Sequence, residues 1–241
     1  MNYSILNNIL RATNAKEKLV SVLIDPDNRN YGQLETLLNI CNEKGVNYLL
    51  VGGSLLSEGN INDTIEFLRT KTKIPIIIFP GTTHQVSNSA DAILLLSLVS
   101  GRNPDLLIGK HVESAFRLKS SGLEIIPTGY MLIDGGRPTT ASYISFTQPL
   151  PADKPMIAAA TALAAEQLGF KLLYMDGGSG AINPVSSEMI KEVKSYTSLP
   201  LVVGGGLRTK HEIQNAFNAG ADMVVIGNAL ELNPGLLNEL F

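Results

Sequence analysis

A single, modified TIM-type (β/α)8 barrel is the fold class this sequence predicts, on three observations. Eight short apolar runs recur along the chain, at 19–24, 48–51, 75–79, 92–96, 123–126, 172–175, 201–203 and 223–226. Each is rich in Val, Ile or Leu without alternation, as strands covered on both faces are. Amphipathic stretches lie between them, among them 34–42, 61–69, 158–168, 187–196 and 211–219. The 241 residues therefore give about 30 per unit, close to the roughly 250 residues of a typical barrel of this class. No linker-like or low-complexity segment interrupts the series, so residues 1–241 read as one domain. A doubly wound open sheet is the alternative. Its usual G-x-G-x-x-G after the first strand is absent, and Asp25-Pro26-Asp27-Asn28 stands there instead.

Two units depart from the regular pattern. Only residues 80–91 separate the third run from the fourth, and they carry Pro80, Gly81, Ser87, Asn88 and Ser89. A full helix does not fit there, so the third helix is expected to be missing or replaced by a short loop. Residues 133–155, by contrast, form a Gly/Pro/Thr-rich connection longer than a barrel loop needs. Long ordered loops are usually functional, and this one is placed to act as a lid.

Composition narrows the class of function. Hydrophobic residues make up 44% and charged residues 17%, the balance of a globular protein with a large core. A net charge of −3 offers no basic surface for nucleic acid. The single cysteine, Cys41, excludes an internal disulfide and a Cys-rich metal site. It falls in a pattern with Leu37 and Leu38 that makes it a small core residue. No signal peptide is evident, and no stretch approaches the roughly 20 apolar residues of a membrane span. A cytoplasmic protein without an integral membrane segment is expected.

Barrel active sites lie at the C-terminal ends of the strands, so residues just past each run are the candidates. They are Asp25 and Asp27; Gly52-Gly53-Ser54; Pro80 to His84; Ser97; Thr128-Gly129-Tyr130; Asp176 and its glycines; Gly204-Gly205-Gly206; and Gly227-Asn228. Any one of these suits a turn or a helix cap, and Asp25-Pro26-Asp27 also suits a helix start. Together they mark a site.

The densest candidate is Tyr174-Met175-Asp176-Gly177-Gly178-Ser179-Gly180-Ala181, one acid followed by a loop of almost bare backbone. Free N–H groups on such a loop suit an anion, above all a phosphate. Phosphate-binding barrels commonly use the loops after strands seven and eight, which here are 204–206 and 227–228. On the opposite side, Asp25 and Ser54 end neighbouring strands. A carboxylate and a hydroxyl are too few for a protein-only metal cage. They are enough for Mg²⁺ that keeps waters and borrows oxygens from a substrate's phosphates.

Other chemistry has less support. His84 lies where it reaches the site or caps a turn, His111 falls on a helix, and His211 reads as solvated surface. No two histidines have metal-ligand spacing. There is no Gly-x-Ser-x-Gly elbow and no Schiff-base lysine at a strand end.

In sum the motifs resemble those of the geranylgeranylglyceryl phosphate synthase family. The matching segments are Leu23-Ile24-Asp25-Pro26-Asp27, Val51-Gly52-Gly53-Ser54, Phe79-Pro80-Gly81, Ser100-Gly101-Arg102-Asn103-Pro104, Pro127-Thr128-Gly129-Tyr130, 174–181, Val203 to Arg208 and Ile226-Gly227-Asn228. They run in order over nearly the whole chain, and the middle segments are similar to those of the archaeal and Bacteroidetes group. The resemblance implies a Mg²⁺-dependent prenyltransferase of ether phospholipid biosynthesis. The sn-3 hydroxyl of sn-glycerol 1-phosphate would attack geranylgeranyl diphosphate and release diphosphate.

By the same resemblance Asp25 and Ser54 would hold Mg²⁺, and Asp176 and Tyr174 would be catalytic. Glycerol phosphate would be held by Tyr174, Met175, Asp176, Gly177, Gly178, Ser179, Gly180, Gly205, Gly206, Gly227 and Asn228. A homo-oligomer, dimer or hexamer, is also implied. One position departs from the family, which places glutamate where this chain has Asp176. Aspartate is one methylene shorter, and a misplacement of about 1 Å can cost around 100-fold in rate. The rival readings are a phosphosugar isomerase or lyase on the same barrel, and a barrel that binds a phosphometabolite without turnover.

Overall fold

The computed structural model describes residues 4–27 and 30–240, so Asn28 of the Asp-Pro-Asp-Asn stretch lies outside the described residues. Eight parallel strands close into a barrel in chain order. They are β1 Leu19–Ile24, β2 Tyr48–Val51, β3 Ile76–Ile78, β4 Ala92–Leu98, β5 Glu124–Leu132, β6 Leu172–Asp176, β7 Leu201–Gly204 and β8 Met223–Ile226. Closure comes from β8 pairing with β1, where Val20 stands opposite Val224. The strands are apolar on both faces because each face has its own core. Leu50, Ile77, Leu94, Ile126 and Val202 fill the barrel, while Leu49, Ile76, Ile93, Met175 and Val203 meet the surrounding helices. Burying one such side chain contributes about 1.5–3 kcal/mol. Cys41 lies in the outer layer with no solvent exposure, and burial pushes its thiol up to about 12.

The floor of the barrel is closed by a helix the strand pattern does not reveal, α1 Ile5–Ala15. Ile5, Ile9 and Ala12, spaced one helical turn apart, enter the inner core from below. Glu124, the first residue of β5, holds the helix start. Its carboxylate accepts from Ser4 Oγ (2.7 Å), Ile5 N–H (2.6 Å) and Leu6 N–H (3.1 Å). A negative group there meets the unpaired N–H groups and the positive end of the helix dipole.

Around the barrel, α2 Tyr31–Lys44 and α3 Ile61–Lys71 follow β1 and β2. Asn30 caps α2 by accepting from Gln33 N–H at 3.1 Å, so Asp25-Pro26-Asp27 does not start that helix. Between β3 and β4, residues 80–91 form turns only. The helix expected to be absent is absent, which leaves a gap in the outer ring. A one-turn π-wound segment, Asp105–Gly109, runs into α4 Lys110–Ser121 beyond that gap. The Ser100-to-Pro104 segment sews this region together. Ser100 Oγ accepts from Leu132 N–H (3.0 Å), and Asn103 Nδ2 donates to the Ser145 carbonyl (3.4 Å).

The fifth strand is longer than its apolar run suggests. Thr128, Gly129 and Tyr130 lie inside β5, each paired with both β4 and β6, rather than past its end. The apolar run stops before Pro127, yet the strand continues, and a side chain at 129 has no room. A Cβ there would lie 3.1 Å from Ala165 Cβ and from Leu173 Cδ2. Ser97 is likewise within β4, with its hydroxyl donated to the Leu107 carbonyl (3.1 Å).

The long connection after β5 is pinned at its base, where Leu150 N–H donates to the Leu132 carbonyl (2.8 Å) and Asp134 N–H to the Leu150 carbonyl (2.9 Å). It carries α5 Thr140–Ser145, started by a reciprocal Thr139–Ser142 capping box. The ring then continues with α6 Pro155–Gln167, α7 Ser187–Tyr196 and α8 Lys210–Ala219, followed by the short α9 Asn228–Leu232 and α10 Leu236–Leu240.

A candidate active site at the open end of the barrel

The C-terminal ends of the strands surround a cavity of about 650 Å³. Its wall includes Asp25, Ser54, Tyr174, Asp176, Gly178, Ser179, Gly180, Gly205, Gly206, Gly227 and Asn228, so these sequence candidates share one space. Of the residues expected to hold glycerol phosphate, two do not join them. Met175 turns its side chain outward into the helix layer, as alternation along β6 requires, and Gly177 lies behind the wall.

Asp176 is the last residue of β6 and only 8% exposed. Its two oxygens have separate partners. The Tyr130 hydroxyl donates to Oδ2 at 2.6 Å, and Gly178 N–H donates to Oδ1 at 2.7 Å. Burial raises its pKa above the usual carboxylate value, and these two bonds oppose the rise. Tyr130 is itself pushed well above the ordinary phenol range, first by burial and then by the Asp176 charge, so it stays a proton donor.

Tyr174, 2% exposed, lies beneath Asp176 in the barrel. Its ring stacks on Phe79, with centroids 5.0 Å apart, and tilts against Tyr130 at 5.7 Å. The last residue of β7 must be small for this ring to fit: a Cβ on Gly204 would lie 2.5 Å from the Tyr174 hydroxyl.

Beside Asp176, three loops meet. Gly177 N–H donates to the Gly204 carbonyl (3.0 Å), joining the β6 and β7 ends. Asn228 Nδ2 donates to Ser179 Oγ (2.9 Å), joining the β6 and β8 ends. Arg208 donates to the carbonyls of Ala181, Ile182 and Gly206, so its charge is spent on holding the loops. The N–H groups of Ser179, Gly180, Gly205, Gly206 and Asn228 make no backbone hydrogen bond among the described residues. Gly205 and Gly206 turn the chain through φ of +79° and +76°, where a side chain is strained. A Cβ on Gly205 would also lie 2.7 Å from Asp176 Oδ1. Several N–H donors facing one space suit a tetrahedral oxyanion. The connection after β5 rests on this cradle, since Ile182 and Asn183 N–H both donate to the Gly135 carbonyl, at 2.9 and 3.0 Å.

Across the mouth, Asp25 Oδ1 accepts from Asp27 N–H at 2.9 Å. Gly53 leaves space beside the carboxylate, where a Cβ would come within 3.3 Å of Oδ2. Burial raises the pKa of Asp25. Glu231 of α9 is raised as well, by burial first and then by the Asp25 charge, so two acids crowd one another at the cavity wall. Carboxylate and hydroxyl oxygens on one side of a cavity fit a hard divalent cation. Among the described residues no three His, Cys, Asp or Glu side chains form a protein-only metal cage. Asp27 has a different task. It accepts from Ser57 N–H and Oγ (both 2.8 Å), Glu58 N–H (3.1 Å) and Gly59 N–H (2.6 Å), which hold it down to about 2.

The rest of the cavity is largely apolar, walled by Val86, Leu94, Leu96, Leu98, Leu118 and Ile144, with Lys110, His111, Glu113 and Ser114 of α4 also on its wall. His84 is exposed at its edge. His111 lies on α4, donating Nε2–H to the Leu96 carbonyl at 2.8 Å, and His211 is on the solvent face of α8. Sequence reading placed Tyr130 among the strand-end candidates without giving it a partner, and gave no role to Gln85 or Glu231. Each has a partner far off in sequence, and so does Arg208, as for Arg208 and Ile182 at a separation of 26, Gln85 and Gly53 at 32, and Tyr130 and Asp176 at 46, so no local spacing marks the contact.

A family model described as the PcrB family matches residues 12–240. The geranylgeranylglyceryl phosphate synthase of Spirosoma linguale is 50% identical over 223 residues, covering 92% of this chain and 90% of that one. The one from Chitinophaga pinensis is 46% identical over 240 residues, covering 100% of this chain and 95% of its own length. Among solved structures, (S)-3-O-geranylgeranylglyceryl phosphate synthase from Thermoplasma acidophilum, in complex with its substrate sn-glycerol-1-phosphate, superposes with a TM-score of 0.91 at 30% identity. That match covers 99% of this chain and 96% of the other. A tryptophan synthase α-subunit from Pyrococcus furiosus, with a TM-score of 0.59 and 12% identity, shares the barrel alone. By family model, relatives and fold together, the chain belongs to the PcrB family, alongside the geranylgeranylglyceryl phosphate synthases.

Proposed function

We propose that this protein is a prenyltransferase that joins the geranylgeranyl group of its diphosphate to the sn-3 hydroxyl of sn-glycerol 1-phosphate. The observation that carries the reading is the place of Asp176: a buried carboxylate between a cradle of free N–H groups and an apolar cavity. The cradle suits the glycerol phosphate, and the apolar cavity suits the prenyl chain. In the reaction the bond from the first prenyl carbon to diphosphate breaks, and an ether bond to the glycerol oxygen forms. The hydroxyl proton passes to Asp176, whose raised pKa makes it a stronger base than an exposed aspartate. A base so placed contributes on the order of 10²–10⁴-fold.

Tyr130 fixes the Asp176 carboxylate in one orientation, and Tyr174 supports Tyr130 from below. The three clustered rings of Phe79, Tyr130 and Tyr174 offer π-faces to the positive charge that develops on the allylic carbon. Asp25 and Ser54 would hold Mg²⁺, whose positive charge would favour departure of the diphosphate. A chain of this kind acts in ether phospholipid synthesis in the cytoplasm; no helix among the described residues is long and apolar enough to cross a membrane. Self-association as a dimer or hexamer is supported by the exposed stripe of Ile108, Val112 and Phe116 along one face of α4 and the segment before it.

The test is incubation with Mg²⁺, labelled sn-glycerol 1-phosphate and geranylgeranyl diphosphate, followed by organic extraction. Label in the extract is expected; its absence with prenyl donors of every length would reject transfer.

A further inference from the structure

We infer that Gln85 is a positioning residue for the wall formed by the ends of β2 and β3, tying them together where a helix is missing. The inference rests on the reading that this wall receives the diphosphate. Gln85 belongs to the helix-free connection 80–91 and is only 3% exposed. Its Nε2 donates to the Gly53 carbonyl at 3.0 Å, and its Oε1 accepts from Gly81 N–H at 3.0 Å. Gly53 directly precedes Ser54, and Gly81 directly precedes the cavity-lining Thr82 and Thr83. One planar amide therefore grips the backbone of both loops from behind, without lining the cavity itself.

The two loops are close enough for that grip to set their spacing. A Cβ on Gly81 would lie 2.2 Å from the Gly53 carbonyl oxygen and 2.8 Å from Ser54 Cα. A Cβ on Gly52 would lie 3.3 Å from Gln85 Oε1. Only a primary amide of this length supplies a donor and an acceptor side by side; an ionised glutamate lacks the donor and methionine lacks both. At its far end the β2 loop is held by the four bonds to Asp27. Ser54 is thus fixed between a carboxylate on the β1 side and an amide on the β3 side. The 80–91 connection is anchored in turn to α4, where Arg117 donates to the Val86 carbonyl at 3.1 Å. Neither anchor touches the β6 to β8 cradle, so loosening Gln85 acts on one half of the site.

The test compares Gln85→Met, nearly the same length without either hydrogen bond, with Gly81→Ala, which forces the two loops apart while Gln85 stays. KM for the prenyl diphosphate and the Mg²⁺ concentration for half-activation are expected to rise about tenfold in each variant, less than the roughly 100-fold cost of a full 1 Å displacement. KM for glycerol phosphate is expected to stay within about twofold, while thermal melting falls by a few degrees because buried backbone groups lose their partner or their spacing. Calorimetric titration of inorganic diphosphate with Mg²⁺ gives the same comparison without turnover, and weaker binding by about tenfold is expected. Equal loss of both substrates, or no loss of diphosphate binding, overturns the inference, as does an unaltered protein that binds no diphosphate. If the unaltered protein forms no prenyl ether, the transfer reading fails separately, and the titration still decides on Gln85. If Gln85→Met does not fold, Gly81→Ala carries the comparison.

Discussion

At the closed end of the barrel the carboxylate of Glu124 accepts three hydrogen bonds, and at the open end that of Asp176 accepts two. The two acids serve opposite purposes. Glu124 meets the start of a helix whose apolar face fills the floor, and every group it touches is structural. Asp176 sits beside N–H groups that remain without backbone partners, above stacked aromatic rings, and faces a cavity. The difference separates stability from chemistry along one axis: the floor is closed by burial, while the mouth keeps backbone N–H groups free of backbone partners among the described residues and open to a ligand. Changes at the two ends should therefore be felt by different measurements.

The largest separation is expected from Asp176→Asn. Turnover should fall by roughly 10²–10⁴-fold, while calorimetry should find glycerol phosphate binding largely unchanged, because the cradle donors are backbone groups. Retained turnover would remove Asp176 from the role of base. At the other end, Ile9→Ala empties a fully buried position of the floor and should cost about 2–5 kcal/mol. For a chain of this size that lowers the melting temperature by roughly 4–20 °C, with kcat at 25 °C preserved. A loss of kcat without loss of stability would show that the two ends are coupled.

The smallest effect is expected from Tyr130→Phe. The Tyr130 hydroxyl bond lowers the Asp176 pKa against the rise caused by burial. Its removal leaves the carboxyl more easily protonated. Activity requires the ionised form, so the acid limb of kcat/KM should move to higher pH. A limb that stays in place, or moves to lower pH, would show that this bond does not set the ionisation of the base.

Much of this architecture is legible in the sequence because a parallel strand buried on both faces leaves a continuous apolar run. The first, second and eighth strands end where their runs end. The absent helix is legible as well, since twelve residues with Pro, Gly and polar turn formers leave no room for one. The fifth strand is not, because its apolar run stops before Pro127 while the strand continues, with Gly129 crowded by Ala165 and Leu173. Helix α1 leaves a signal, Ser4 followed by Ile5, Ile9 and Ala12, but one too short to stand out from a terminal segment. The strand-end acids and glycines mark the site. Tyr130 stands among the strand-end candidates but its bond to Asp176 does not show, and Gln85 leaves no mark, because each acts on a partner far off in sequence, such as Gly53, 32 residues before Gln85.

Helix α1 also sets a constraint on the order of events during synthesis. It emerges before all eight strands, yet the carboxylate that holds its start follows 119 residues after Ile5, and the barrel it plugs closes only when β8 pairs with β1. An isolated helix of 11 residues is marginal in water. At roughly 5–20 residues per second, its apolar face waits on the order of ten seconds for Glu124 to appear, and longer for the barrel to close. The nascent chain must keep Ile5 and Ile9 from other partners over that interval, so the segment that seals the finished barrel is itself exposed to mispairing while the barrel is being made.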